Sequence, residues 1–252
     1  MILTLTLFCS YSVCYADDAS TTTTPTSNAT TQPTPPAPDA SPLTGTFDIT
    51  NNYVFRGISN SDNNPAVQGG LTYTFAKTGI FFNVWGSNVD FLAPDGSTAT
   101  VEMDTIAGIA NDITDDLSYN LTINRYNYPR ASSANYNEGI GILTYKIFSA
   151  TIGYSSDVYG VHKSGTYYNG AINFDIPPKY AVTLNDVSAM ASVGHYNLPE
   201  SAGLLSYTDY MLGLQKKFGA YLLIVQWTAT NGESHQPPLD DKRIVGTLQV
   251  NF

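Results

Sequence analysis

The chain has 252 residues, 21 Asp and Glu against 11 Lys and Arg, and a formal net charge of −10. That length suits one large all-β domain or two smaller ones. The acidic balance, without any Lys/Arg cluster, argues against a nucleic-acid partner, whose phosphates call for clustered bases. Charged residues make up only 13%, while 18 Tyr, 11 Phe and 20 Gly give the profile of a pleated, turn-rich sheet.

Residues 2–13 form a short apolar run followed by Cys14-Tyr15-Ala16, with small residues around a cleavage point. This reads as a secretory signal peptide over residues 1–16. No Lys or Arg precedes the run, a departure from the usual pattern, and the run is too short to cross a bilayer as a helix. Cys9 and Cys14, the only cysteines, fall inside it. The mature chain is therefore expected to carry no disulfide, no thiolate nucleophile and no thiolate metal site. Residues 17–43 are rich in Thr, Pro, Ala and Ser. Such a segment buries too little apolar surface to offset chain entropy, so a disordered leader is expected, a passive spacer or a tether. Three acids (Asp17, Asp18, Asp39) and no base precede residue 44, so the remainder stays net acidic.

From residue 44 the hydrophobic period is two. Phe47, Ile49, Tyr53 and Phe55 alternate with Thr46, Asp48, Thr50 and Asn52. Val67, Leu71, Tyr73 and Phe75 alternate with Gln68, Thr72 and Thr74, and Leu121 and Ile123 with Asn120, Thr122 and Asn124. Ile244, Leu248, Val250 and Phe252 alternate with Arg243, Thr247, Gln249 and Asn251. Each is a strand with one apolar and one polar face. Strands are expected near 45–56, 66–75, 80–89, 100–110, 117–127, 137–145, 147–156, 166–176, 181–195, 204–215, 220–230 and 242–252. The connections alternate short and long, as they do when one end of a barrel faces the periplasm and the other the outside. The fold expected over residues 44–252 is thus all-β: an antiparallel up-and-down transmembrane β-barrel of about twelve strands. The chain stops on an amphipathic strand at Phe252, with Val250 and Leu248 at the preceding same-face positions. These three are the candidate signal for a barrel-assembly machinery.

Several stretches resemble a known family. They are Asn52-Tyr53-Val54-Phe55-Arg56-Gly57-Ile58-Ser59 followed by Pro65-Ala66-Val67-Gln68-Gly69-Gly70, and Trp85-Gly86-Ser87-Asn88-Val89-Asp90. Glu102-Met103-Asp104 with Ala107-Gly108 and Tyr126-Asn127-Tyr128-Pro129 add to them, and more loosely the stretch from Tyr207 to Leu214. Together, over about residues 45–252, the chain is similar to the TorF-family porins, the Gcw_chp group of conserved proteobacterial outer-membrane proteins. The resemblance implies an outer-membrane channel of undefined substrate and no catalytic residues; the Thr/Pro-rich leader departs from the family pattern.

In a barrel the polar face lines the lumen and the apolar face meets lipid. The inward candidates are Asp48, Arg56, Glu102, Asp104, Asn124, Asp175, Asp209 and Arg243. Acids dominate, which favours cations in a narrow lumen. Arg56 with Glu102 and Asp104 would make either an electrostatic constriction or a structural salt-bridge network. Glu138 shares a face with Ile140 and Ile142 and is placed at the outer rim. Trp85, Tyr126 and Tyr128 are read as interfacial girdle or lumen-mouth residues, the girdle first. The three histidines are far apart in sequence, so no metal site and no cofactor is expected. The function expected is passive diffusion of ions or small solutes, weakly cation-selective, across the bacterial outer membrane. The partners are then membrane lipid and lipopolysaccharide; oligomeric state is open. A plugged structural or adhesive barrel is the alternative. A rim lipid hydrolase would need His195 beside a serine, but Ser192 lies on the opposite face and no Gly-x-Ser-x-Gly elbow exists.

Overall fold

The computed structural model describes residues 41–177 and 186–252. The expectations for residues 1–40, signal peptide and most of the leader, lie outside them, as do residues 181–185 of one expected strand. Fourteen strands are described. They are β1 (Leu43–Thr50), β2 (Val54–Phe55), β3 (Ile58–Ser59), β4 (Ala66–Thr74), β5 (Ile80–Leu92), β6 (Thr98–Thr114) and β7 (Leu117–Asn127). Then follow β8 (Tyr136–Tyr145), β9 (Phe148–Ser155), β10 (Gly165–Asp175), β11 (Val187–Asn197), β12 (Tyr207–Phe218), β13 (Tyr221–Thr230) and β14 (Arg243–Asn251). Twelve of them close into one barrel in sequence order, and β2 pairs only with β3. Every neighbouring pair is antiparallel; β1 closes the wall by pairing with β14 on one side and β4 on the other.

Closure is completed at the C-terminus. The Phe252 N–H donates to the Gly45 carbonyl at 3.0 Å, and the Gly45 N–H to the Phe252 carbonyl at 2.7 Å. The Phe252 ring lies across Gly45, where a Cβ would stand only 2.5 Å from it. A side chain at Gly45 would have to displace that ring.

Burial alternates along the strands, as a barrel wall demands. In β8 the sequence of buried and exposed residues runs Tyr136 in, Asn137 out, Glu138 in, Gly139 out and Ile140 in. The outward set is apolar: Ile49, Leu71, Val84, Met103, Leu121, Leu143, Ile152, Leu212, Val225 and Leu248 are all exposed. A continuous apolar skin of this kind fits hydrocarbon, not water. Outward aromatics collect near both rims. Tyr73, Phe82, Tyr145, Phe148, Phe218 and Tyr221 flank the short turns, and Tyr154, Tyr168, Tyr210 and Trp227 flank the long loops. Two aromatic girdles bounding an apolar band mark a membrane-spanning barrel.

One expected strand is shorter than its alternation implies. The stretch 45–56 leaves the wall at Thr50, and Tyr53 and Phe55, expected on its outward row, are buried inside. The reason is a tight hairpin: Arg56 and Gly57 both adopt positive φ (49° and 82°) between the paired residues Phe55 and Ile58. A two-residue turn with both central residues left-handed reverses the chain. The first loop thereby folds into the lumen.

Candidate functional site

The inward faces converge on a lumen whose long-loop end is crossed by the β2–β3 hairpin. Its tip touches opposite walls. A Cβ at Gly57 would stand 2.8 Å from the Asp209 Cβ and 2.9 Å from the Thr230 Cγ2, so the backbone is pressed against β12 and β13. On the other side the Arg56 guanidinium forms a bidentate pair with Glu138 of β8: Nη1 to Oε1 at 2.9 Å and Nη2 to Oε2 at 2.8 Å. Both side chains are almost wholly buried. Glu138 also accepts from the Tyr126 hydroxyl at 2.9 Å. Gly153 makes room for the pair, since a Cβ there would sit 2.8 Å from Glu138 Oε1.

Aromatic rings surround the guanidinium, which lies 4.1 Å from the Tyr167 centroid and 4.6 Å from those of Phe55 and Tyr196. These belong to a continuous chain of rings. Phe55 meets Tyr126; Tyr126 stacks on Tyr136 at 4.3 Å; Tyr136 meets Tyr159, Tyr159 meets Tyr196, and Tyr196 meets Tyr167 and Tyr207. Tyr159 comes from a short 3-10 turn, Val158–Gly160, in the β9–β10 loop. Burial pushes its phenol up to about 12, so it stays protonated. The neutral rings and the carboxylate give the buried cation both a countercharge and cation–π contacts.

The hairpin divides the lumen unequally. Against β5–β8 it is sealed: Tyr53 and Phe55 pack with Trp85, Val89, Tyr126, Tyr128 and Tyr136 into one buried cluster. Under this cluster Glu102 accepts from the Tyr128 hydroxyl at 3.2 Å. Burial, reinforced by Glu102, holds the Tyr128 phenol well above its ordinary range, and it remains a donor. On the other side a cavity of about 180 Å³ runs along β9–β14, β1 and β4. Its wall mixes polar groups (Asp48, Gln68, Asn169, Asp209, Gln226 and Gln249 among others, with Arg56) with apolar ones (Val54, Phe55, Met211, Ile224 and Val245).

Of the expected inward residues, Asp48, Arg56, Glu102, Asp104, Asn124 and Asp209 are buried. Asp48, Arg56 and Asp209 line the cavity; Glu102 and Asp104 do not. Asp175 is exposed at the short-turn end, where its carboxylate accepts from the Ser188 hydroxyl at 2.6 Å. Arg243 is partly exposed at the long-loop end and donates to the Pro238 carbonyl at 3.0 Å. Arg56 takes Glu138 as its ion-pair partner, in place of the Glu102 and Asp104 expected in either a constriction or a structural salt-bridge network. Glu138 itself is the residue sequence reasoning misplaced. It faces inward with Ile140 and Ile142, because a lumen this narrow is packed like a core and admits apolar side chains too. Trp85, Tyr126 and Tyr128 are internal as well, packed under the hairpin at the lumen mouth, the second of their two expected placements, and not in the girdle. Their strand parity carried the signal: Tyr126 is two residues from the inward Asn124. His195 faces outward, its imidazole 3.1 Å from Thr208 Oγ1, and Ser192 lines the cavity on the other face.

Solved porin structures are among those that share the fold. A KdgM porin aligns with a TM-score of 0.51 at 9% identity, over 83% of this chain and 97% of that one. A NanC porin aligns with a TM-score of 0.51 at 10% identity, over 83% and 98%. No curated protein matches the chain in sequence. The model of a family of bacterial proteins of unknown function, Gcw_chp, matches residues 36–245. With this match spanning most of the barrel, the chain belongs to the Gcw_chp family.

Proposed function

We propose that the protein is a narrow outer-membrane channel for passive diffusion of ions and small solutes, with a preference for cations. The observation that carries this reading is the cavity left beside the hairpin. It lies inside a lipid-facing closed barrel, and its mixed polar and apolar wall carries two carboxylates, while the one arginine among its lining residues is neutralised by Glu138. Fixed acids on a confined low-dielectric wall attract cations and repel anions. The porin neighbours and the aromatic girdles support an outer-membrane location, and the narrower TorF-family assignment belongs to the same reading. Phe252, Val250 and Leu248 would then present the strand that the assembly machinery reads.

Planar-bilayer recording of the refolded protein under a KCl gradient tests this. Small discrete steps with a reversal potential displaced toward that of potassium are expected. A folded barrel that never conducts would overturn it. It would favour the second reading, a structural or adhesive barrel plugged by its first loop, which the Arg56–Glu138 anchor supports on its own.

A further inference from the structure

The lipid-facing skin carries a cation at its long-loop rim. Arg125, near the end of β7, stands on the outward row beyond Leu121 and Ile123 and is partly exposed. Two asparagines brace its guanidinium: Nε donates to Asn127 Oδ1 at 3.1 Å and Nη1 to Asn137 Oδ1 at 3.4 Å. Asn127 is itself fixed, its Nδ2 donating to the Met103 carbonyl at 3.0 Å. Neither bond uses Nη2, and among the described residues Arg125 forms no salt bridge. The outward positions beside it are neutral: Met103 and Thr105 on β6, Asn137 and Gly139 on β8, and Tyr154 on β9. The β7–β8 connection adds a second exposed cation, Arg130, and no acid. The charge on this rim is thus directed outward and left without a countercharge by the protein itself. On a lipid-facing surface that calls for an anion at the same depth.

Towards the middle of the membrane the same wall opens. Gly139 lies between Ile123 of β7 and Tyr154 of β9, and Gly141 between Leu121 and Ile152. A Cβ at Gly139 would meet nothing within 4 Å. Ile123, flanked by Gly139 and Ala107, is 69% exposed. The β8 backbone therefore floors an apolar trough between the side chains of β7 and β9, whose backbones stand about 10 Å apart, two strand spacings. Such a trough admits a single hydrocarbon chain, and the braced guanidinium marks its headgroup end. Arginine suits a phosphate there, because its planar fork gives paired N–H donors. We propose that Arg125 and Asn137 bind a phosphate of lipid A, the phosphorylated glycolipid of the outer leaflet, with one acyl chain laid over Gly139 and Gly141. Long loops project to the outer face of such barrels, which selects this leaflet. The outer-leaflet placement rests on the location proposed above, not on conduction.

Native mass spectrometry of the refolded protein in detergent, incubated with diphosphoryl lipid A, tests the site. One retained lipid is expected, with dephosphorylated lipid A and phosphatidylglycerol each held about tenfold more weakly or worse. Arg125→Gln should weaken retention of lipid A by about tenfold or more, the size of one lost charge-assisted hydrogen bond. Gly139→Leu, where the added side chain has room, should weaken it by filling the trough. Heat-modifiable folding and single-channel conductance should stay unchanged in both, which separates the rim from the lumen. Equal retention of dephosphorylated lipid A, or retention unchanged in Arg125→Gln, overturns the site. Equal retention of phosphatidylglycerol assigns the rim to a phospholipid and overturns the lipid A assignment. Complete displacement by excess inorganic phosphate reduces the site to a phosphate contact and overturns the trough. A barrel that holds lipid A through Arg125 and never conducts supports the site and defeats the channel. Should Arg125→Gln fail to fold, Gly139→Leu alone decides.

Discussion

The two halves of the lumen are built from one alternation yet filled in opposite ways. Along β5–β8 the inward side chains are rings and charged groups locked together: Trp85, Tyr126 and Tyr136 against the hairpin, with Glu138 holding Arg56. Along β9–β14, β1 and β4 they are amides, hydroxyls and two acids, interspersed with Met211, Ile224 and Val245, bordering open space. The difference shows that strand period sets which residues face inward, while the first loop decides what they face. The sealed half behaves as a protein core, the open half as a solvated wall.

The sealed half is broken most severely at its centre. Arg56→Ala leaves Glu138 buried without its countercharge, a loss of about 3–5 kcal/mol for a buried pair. The hairpin should then detach, the heat-modification midpoint fall, and unitary conductance rise. Glu138→Gln should act in the same direction, and unchanged conductance in both would show that the hairpin is held by its rings alone. A gentler cut is Tyr126→Phe, which removes one hydroxyl from Glu138 and should cost about 2 kcal/mol, as for a bond to a charged group. Thermal melting in detergent measures it, and a cost near zero would mean the stacked ring and not the hydroxyl matters. In the open half, Gln226→Ala should shift stability by no more than about 0.5 kcal/mol, as at solvated positions. It should nevertheless change conductance, because Gln226 lines the cavity.

The wall was readable from sequence because its strands are long, amphipathic and separated by turns. Residues such as Ile49, Leu71, Leu121 and Leu248 fall on the outward face that their alternation assigns. The lumen was less readable. Polarity was used there to sort faces, and it fails where the interior is packed: Phe81, Ile106, Ile140, Met190 and Ile224 are inward although apolar. Parity is the better guide, and it would have placed Tyr126 correctly from Asn124. The inward fold of the first loop depends on Arg56 and Gly57 both taking left-handed backbone conformations. Val54-Phe55 before and Ile58 after the Arg56-Gly57 dipeptide were its one local trace. The cavity itself was not legible, since it is the space the hairpin leaves unfilled.

The division of the lumen is tested most directly by placing a thiol on each half and recording current while a charged, membrane-impermeant thiol reagent is added. Asn124, fully buried in β7, and Gln226, on the cavity wall in β13, are amides at inward positions of opposite halves. The account predicts that Gln226→Cys loses current on modification and Asn124→Cys does not. Equal loss in both, or loss only in Asn124→Cys, would contradict a passage confined to the β9–β14, β1 and β4 side.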